Sequence, residues 1–400
     1  MTSPPASRLP PLDGFDFTAL SDSLAPLGAD AWLLYDFHGN NPVTRQVLGL
    51  EGMSTRRLFI WLPRSGQPVA VVHRIELGAF AGFAGEVRPY ASWRELHERL
   101  RTLVAGRTVA MEISADDGVP YLDRVPYGVV RLLESLGARI VPSAALVTRF
   151  AARWSPAALA GHRRAAEALA AIAGATLTEA GAELARGVEV REAALQRRVL
   201  EAIERAGFVT DHPPIVGFQE HAANPHYEPR EGADRRLAAG EVMLLDLWAG
   251  TELTAVFADQ TWIAFAGRAP QAEIRRVWDT VRGARDAAVT RLRERWGRAS
   301  LTGADLDDAA RGVIDAAGYG EFFPHRTGHS IDRQLHGSGP HLDNFETADT
   351  RVLTPGIGFS VEPGIYLPGR FGMRSEINVF LGETGPEVTP AHPQSELMLV

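Results

Sequence analysis

HRTGHSIDRQLHGSGPH, residues 325–341, and FSVEPGIYLPGRFGMRSEINVFL, residues 359–381, decide how the rest of the chain is read. The first holds four of the twelve histidines: His325, His329, His336 and His341. The second is apolar enough to form β-strands, yet sets Glu362 and Glu376 among them. Glu362 ends a run stopped by Pro363-Gly364. Glu376 lies inside the run from Met373 to Leu381, which reads as one strand. An unpaired carboxylate buried in a strand costs several kcal/mol unless it is protonated or bound to a cation.

Two more acids repeat the pattern upstream. Asp246 sits in EVMLLDLWA (241–249) and Asp259 in TAVFADQTWIAFA (254–266), on either side of the turn-like Ala249-Gly250-Thr251. A turn centred between Glu252 and Leu253 would set the two aspartates directly opposite each other. Their side chains would then be ~5 Å apart, where like charges repel. Arg374 reads as the one local cation, and one guanidinium cannot compensate four buried acids. Adding a single imidazole gives an oxygen-rich site with one nitrogen, suited to Mn²⁺, Co²⁺ or Zn²⁺. Two such ions ~3.5–4 Å apart can activate a water and polarise a carbonyl together. Alone, each acid reads equally as a strand-edge or Arg-paired carboxylate, and each histidine as a satisfied core residue. Four acids with a histidine cluster favour a metal centre.

The remaining chain bounds this reading. Its 400 residues, 45% apolar and 22% charged, suit two domains of an ordinary soluble protein. A net charge of −8 argues against a nucleic-acid or anionic-membrane partner. All basic residues are arginine, which excludes lysine Schiff-base chemistry, and the lack of cysteine excludes disulfides, thiolate metal sites and cysteine nucleophiles. The opening MTSPPASRLPPLDG lacks the apolar core of a signal peptide, and no apolar run approaches the ~18 residues of a membrane span, so a cytoplasmic location is expected.

Residues 1–155 read as an amino-terminal α/β layer domain. Strands are expected over 31–37, 56–63, 68–75, 108–114 and 138–144, with helices over 92–106 and 127–137. HGNNP, after Phe37, reads as a loop. Residues 156–400 read as an α+β domain, an antiparallel sheet covered by four helices. The first helix, capped by Ser155 with Pro156 in its first turn, is expected to reach about Leu177. The others span 190–207, 271–297 (read as the longest) and 302–320, the last with Thr302 or Asp305 as cap. Strands are expected at 213–218, 241–249, 254–266, 358–366 and 373–381.

EPGIY followed by GMRSE, with HRTGHSIDRQLH upstream and an Asp–Asp hairpin before it, resembles the pita-bread metallopeptidases. That family includes methionine aminopeptidase, prolidase and aminopeptidase P, with the metal-free relative creatinase. The two-domain layout is similar to prolidase, aminopeptidase P and creatinase. By motif position, the resemblance implies that Asp246 binds one metal, Asp259 and Glu376 bridge two, and His329 and Glu362 bind the other. It implies substrate-facing roles for His226 (of NPHY), His336 and His325. Tyr366 and Arg374 resemble a pair that holds Asp246 from behind, Arg374 also being a candidate for a substrate carboxylate. His221 and His341 have no role in the pattern and are read as supporting or surface residues.

The function implied is hydrolysis of the Xaa-Pro bond of dipeptides or short peptides by a metal-bridged hydroxide, with Glu362 as general base. Two divalent ions, Mn²⁺ before Co²⁺ or Zn²⁺, and a homodimer are expected. The partners are short proline-containing peptides, with no nucleic acid and no membrane. An Xaa-Pro aminopeptidase on longer peptides, a creatinase-like amidinohydrolase and a non-catalytic binding protein on the same fold are the alternatives. Three positions depart from the family pattern: Trp248 stands where a small residue is usual, Ser375 replaces an apolar one, and Ile377 replaces an acid.

Overall fold

Strands buried on both faces read as continuous apolar runs, and the amino-terminal residues show the reason. The computed structural model describes residues 10–50 and 52–400. The signal-peptide expectation rests in part on residues 1–9, which lie outside them. The chain divides into two compact units, Met1–Ala151 and Ala152–Val400.

The first unit runs α1 (Phe17–Leu24), β1 (Ala31–Asp36), α2 (Pro42–Leu48), β2 (Leu58–Pro63), β3 (Val69–His73), β4 (Glu86–Tyr90), α3 (Trp93–Val104), β5 (Thr108–Met111), α4 (Tyr127–Ser135), β6 (Arg139–Pro142) and α5 (Ala144–Phe150). The strands form one mixed sheet in the order β4-β3-β2-β1-β5-β6. Alternate residues serve opposite faces. Trp32, Leu34, Ile60 and Leu62 pack with Leu20, Leu48 and Leu146 of α1, α2 and α5. Leu33, Phe59 and Trp61 pack with Leu96, Leu100 and Leu133 of α3 and α4. The loop expected at HGNNP is shorter than its sequence suggested, because Asn41 caps α2 with Pro42 in the first turn.

The second unit runs α6 (Pro156–Ala185), α7 (Glu192–Arg205), β7 (Ile215–Phe218), β8 (Val242–Ala249), β9 (Ala258–Phe265), α8 (Ala272–Arg295), α9 (Gly303–Ala316), β10 (Ser330–Ile331), β11 (Gly358–Val361), β12 (Gly364–Leu367), β13 (Phe371–Arg374), β14 (Ile377–Gly382), β15 (Gly385–Thr389) and β16 (Met398–Leu399). Ser155 caps α6, and Thr302 and Asp305 cap α9 reciprocally, so both residues serve. At 30 residues α6 passes Leu177 and outruns the 24 residues of α8, against expectation. Its alanines favour helix without marking an end by periodicity.

The single sheet expected here is three: β16-β9-β8-β7, β10-β11-β14-β15 and the pair β12-β13. The stop read at Pro363-Gly364 is present, whereas the run from Met373 to Leu381, read as one strand, breaks in the middle. Pro363 separates β11 from β12, and Ser375-Glu376 separate β13 from β14. Glu376 therefore lies between strands and not within one. Each break lets the chain leave one sheet for another, which carries both glutamates to the seam between sheets.

The β8–β9 hairpin shows how the site is placed. On one face Met243, Leu245, Leu247 and Ala258 pack under α6 and α7. On the other, Val242, Leu244, Ile263 and Phe265 join the core beneath α8 and α9. Continuing along that second face by twos gives Asp246 and Trp248 on β8, and Thr261 and Asp259 on β9. The register pairs Asp246 with Thr261 and Trp248 with Asp259. The aspartates are diagonal neighbours and not directly opposed, because the turn is centred one residue later than the sequence suggested. Among the described residues, no helix is long and apolar enough to cross a membrane.

His162 ties α6 to the sheets and is fully buried. Its Nδ1 lies 2.9 Å from the Phe257 carbonyl and its Nε2 2.8 Å from Thr389 Oγ1. A carbonyl only accepts, so Nδ1 carries the proton and the neutral ring accepts from Thr389 through Nε2. Burial holds the imidazole down to about 4. A histidine with a lowered value in the fold stabilises fully above its ordinary value of ~6.5, and that contribution is lost as pH falls towards 4. Urea unfolding at pH 7.5 and pH 4 should show the wild type losing up to about 3 kcal/mol relative to His162→Gln. Parallel losses in the two proteins would remove His162 from the account.

Candidate metal centre

Asp246, Asp259, Glu376 and Arg374 are all buried, and the four acids meet at the seam between sheets. His329 Nε2 lies 3.4 Å from Asp259 Oδ2 and 3.4 Å from Glu362 Oε1. Asp259, His329 and Glu376 each offer a ligand atom within 4.8 Å of the others. Arg374 forms an ion pair with Asp246 and stands 3.9 Å from both Glu362 and Glu376. Arg374 and His329 are the cations within 4 Å of the four carboxylates among the described residues, so four ionised acids would leave excess negative charge.

The titration of the group follows from that excess. Burial pushes Glu376 well above the usual carboxylate range, with Asp259 adding to it. Burial raises Asp246 to about 7 against the pull of Arg374, and raises Asp259 against that of His329. Glu362 goes the other way: burial is outweighed by His329, Arg374 and His325 together. Burial lowers His329, but the Asp259 hydrogen bond and the Glu362 charge raise it overall. Glu376 Oε1 is buried and has no hydrogen-bond partner among the described residues. An orphaned carboxylate oxygen beside two acids and a histidine is the donor set a divalent cation requires, so these residues fit a bound metal.

Each carboxylate is aimed by its own support. Thr261 Oγ1 is 2.8 Å from Glu376 Oε2 and 3.2 Å from Asp246 Oδ1, and accepts from Arg374 Nε at 2.8 Å. Ser360 Oγ donates to Glu362 Oε1 at 3.0 Å and accepts from the His329 backbone N–H at 2.9 Å. Asn378 Oδ1 accepts from the Asp259 N–H at 2.9 Å. Reading the sequence missed these three. Thr261 and Ser360 each lie two residues from an acid on the same strand face, which was the available signal. Gly328 permits the approach of the His329 loop, since a Cβ there would sit 2.0 Å from the Ser360 carbonyl oxygen.

Behind Asp246 runs a relay. Arg374 Nη1 donates to Tyr366 Oη at 3.3 Å, and Tyr366 lies 2.8 Å from His325 Nε2. His325 Nδ1 is 2.7 Å from the Arg326 carbonyl, so Nδ1 bears the proton and Nε2 accepts from the phenol. Burial holds His325 down to about 4 and Tyr366 up to about 12. With both nitrogens engaged, His325 supports Tyr366. Arg374 uses Nε, Nη1 and Nη2 on Thr261, Tyr366 and Asp246, which fits the expected support of Asp246. It is not the one local cation, since Arg326 acts on Glu362, His329 and His336.

His226 and His336 stand at the exposed mouth. His336 sits edge-on to His329 at 4.3 Å, whose positive charge pushes it down to about 3. His226 is near enough to act on His336. His221 is held through Nδ1 by the buried Glu192, 2.9 Å away, and His341 Nδ1 accepts from the Ser330 N–H at 3.0 Å.

Comparison with known proteins bears on this arrangement. Residues 161–383 match metallopeptidase family M24. The chain is 29% identical over 340 residues to a probable dipeptidase PepE of Mycobacterium tuberculosis, covering 81% of this chain and 80% of that protein. The crystal structure of dipeptidase PepE from Mycobacterium ulcerans superposes with a TM-score of 0.74 at 26% identity, covering 96% of both chains. An Xaa-Pro dipeptidase from Bacillus anthracis shares the fold at TM-score 0.67 and 21% identity, over 96% of this chain and all of the other. The architecture is therefore the pita-bread fold, preceded by the α/β unit. With its carboxylate–histidine cluster inside the matched region, the chain belongs to metallopeptidase family M24.

Proposed function

We propose that this protein is a two-metal dipeptidase that cleaves Xaa-Pro and related short peptides, and that Asp246, Asp259, His329, Glu362 and Glu376 hold the metals. The observation behind this reading is the buried Glu376 oxygen without a hydrogen-bond partner among the described residues, within a cluster of four carboxylates held by Arg374 and His329. The proline preference is drawn from the resemblance and from the similarity to the Bacillus anthracis dipeptidase. Mn²⁺ is the proposed ion, and a cytoplasmic homodimer the proposed state, both on the resemblance.

When bound, the metals supply an activated water and polarise the scissile carbonyl. Glu362, held below the ordinary carboxylate range, is ionised at neutral pH. It takes the proton released on attack and returns it to the leaving nitrogen. His336, uncharged at neutral pH, and His226 contact the substrate from the mouth. Arg374 and Thr261 hold Asp246 in place, so that charge developing during attack meets fixed groups.

Two outcomes test this reading. Ala-Pro and Ala-Pro-Ala should be offered with Mn²⁺, Co²⁺ or Zn²⁺. Cleavage of the dipeptide is expected, falling at least ~100-fold in Glu362→Ala. Cleavage of the tripeptide alone would make the protein an Xaa-Pro aminopeptidase, and cleavage of neither with metal bound would favour a binding protein.

Glu376→Gln should separate stability from activity. Removing one acid from an overcharged buried cluster should raise the metal-free protein's stability by ~1–2 kcal/mol while weakening metal binding and abolishing turnover. Thermal unfolding with and without chelator, beside metal analysis, would show it. A metal-free variant less stable than wild type would mean that the four carboxylates do not strain the fold.

A further inference from the structure

A pocket of about 320 Å³ opens beside the carboxylate cluster, lined by Pro213, Ile215, His226, Glu228, Pro229 and Trp248 among others. The strand register fixes its relation to the site. Ile215 pairs with Asp246 across β7 and β8, and Trp248 pairs with Asp259 across β8 and β9. Paired residues share a face, so Ile215 and Trp248 flank Asp246 on the side that bears the acids. The Trp248 indole N–H donates to Asp211 Oδ1 at 2.8 Å, which holds the ring as a wall. Pro213, Ile215, Pro229 and Trp248 give the pocket a mostly apolar surface, as a side-chain subsite requires, with Gln196, His212, His226 and Glu228 as its polar groups.

We propose that this pocket receives the side chain of the substrate's amino-terminal residue, with Trp248 as the residue that sets the preference for large apolar groups. The inference rests on the peptidase reading above. The direction of the substrate follows from charge. Glu228 stands on the pocket rim and Asp211 behind Trp248, and no arginine lines the pocket. A zwitterionic peptide therefore lies with its ammonium group towards these two acids and its carboxylate away from them. A small residue in place of Trp248 would leave this wall open and remove the largest apolar surface against which a leucine or phenylalanine side chain could pack.

The test is a ratio, which does not depend on how much active protein a variant yields. kcat/KM is measured for Gly-Pro, Ala-Pro, Leu-Pro and Phe-Pro, and for Ala-Pro against Ala-Ala. In wild type the Phe-Pro to Gly-Pro ratio should favour phenylalanine tenfold or more, the discrimination expected of one buried apolar side chain. Trp248→Ala should lower that ratio at least tenfold, Trp248→Phe should restore most of it, and the Ala-Pro to Ala-Ala ratio should not move. An unchanged first-residue ratio in Trp248→Ala, or a change in the second-residue ratio alone, would overturn the assignment. Should wild type cleave no peptide with any metal, the peptidase reading falls by itself. Calorimetric titration of Phe-Pro and Gly-Pro into metal-loaded protein then decides the pocket: binding that favours Phe-Pro in wild type and not in Trp248→Ala supports it, and equal binding sinks it.

Discussion

Four carboxylates gathered in a buried seam, with a single buried arginine to answer them, form the constraint on which the second unit is built. Such a cluster is costly in a folded chain, and the surrounding structure acts to contain that cost. Arg374 is itself braced by Tyr366, and Tyr366 by His325, so the compensating charge cannot swing away from Asp246. Thr261 lies between Asp246 and Glu376 and ties both to the same guanidinium. What these contacts leave undone is the buried Glu376 oxygen. A cation is the group whose charge and coordination complete the arrangement.

The architecture separates two duties on each strand. The outer faces of β8 and β9 bind α6 and α7 with ordinary apolar side chains. The inner faces are apolar at one end, where α8 and α9 cover them, and acidic at the other. The acids thus stand on strands anchored by a packed core a few residues away. Sites built on such elements hold their geometry better than sites on loops.

Much of this was legible in the residues themselves. Acids inside apolar runs are rare enough that four of them, in order, pointed to the centre before any geometry was known. The helix caps at Ser155 and Thr302 were legible for the same local reason. The errors came where local signals are silent. Period and composition do not say that a run containing Pro363 or Ser375 will change sheets, because that depends on which edge each half can join. The end of α6 was hidden because alanine is helical without being amphipathic. The hairpin register was misjudged because residues 250–257 offer several places to turn. Tyr366 and Arg374 stand behind Asp246 as the motif implied, while the bond of Tyr366 to His325 joins residues 41 apart and had no local signal.

The register of β8 against β9 has a consequence for how such chains can change. Asp246 and Asp259 share a face because the connection between their pairing partners has a particular parity. Lengthening the turn by two residues would slide one aspartate along the other strand and leave both pointing inward. Lengthening it by one would turn Asp259 towards α6 and bring Ala258 or Gln260 into the centre. Where pairing continues to the turn, its length can therefore change only in even steps without moving an acid out of the centre.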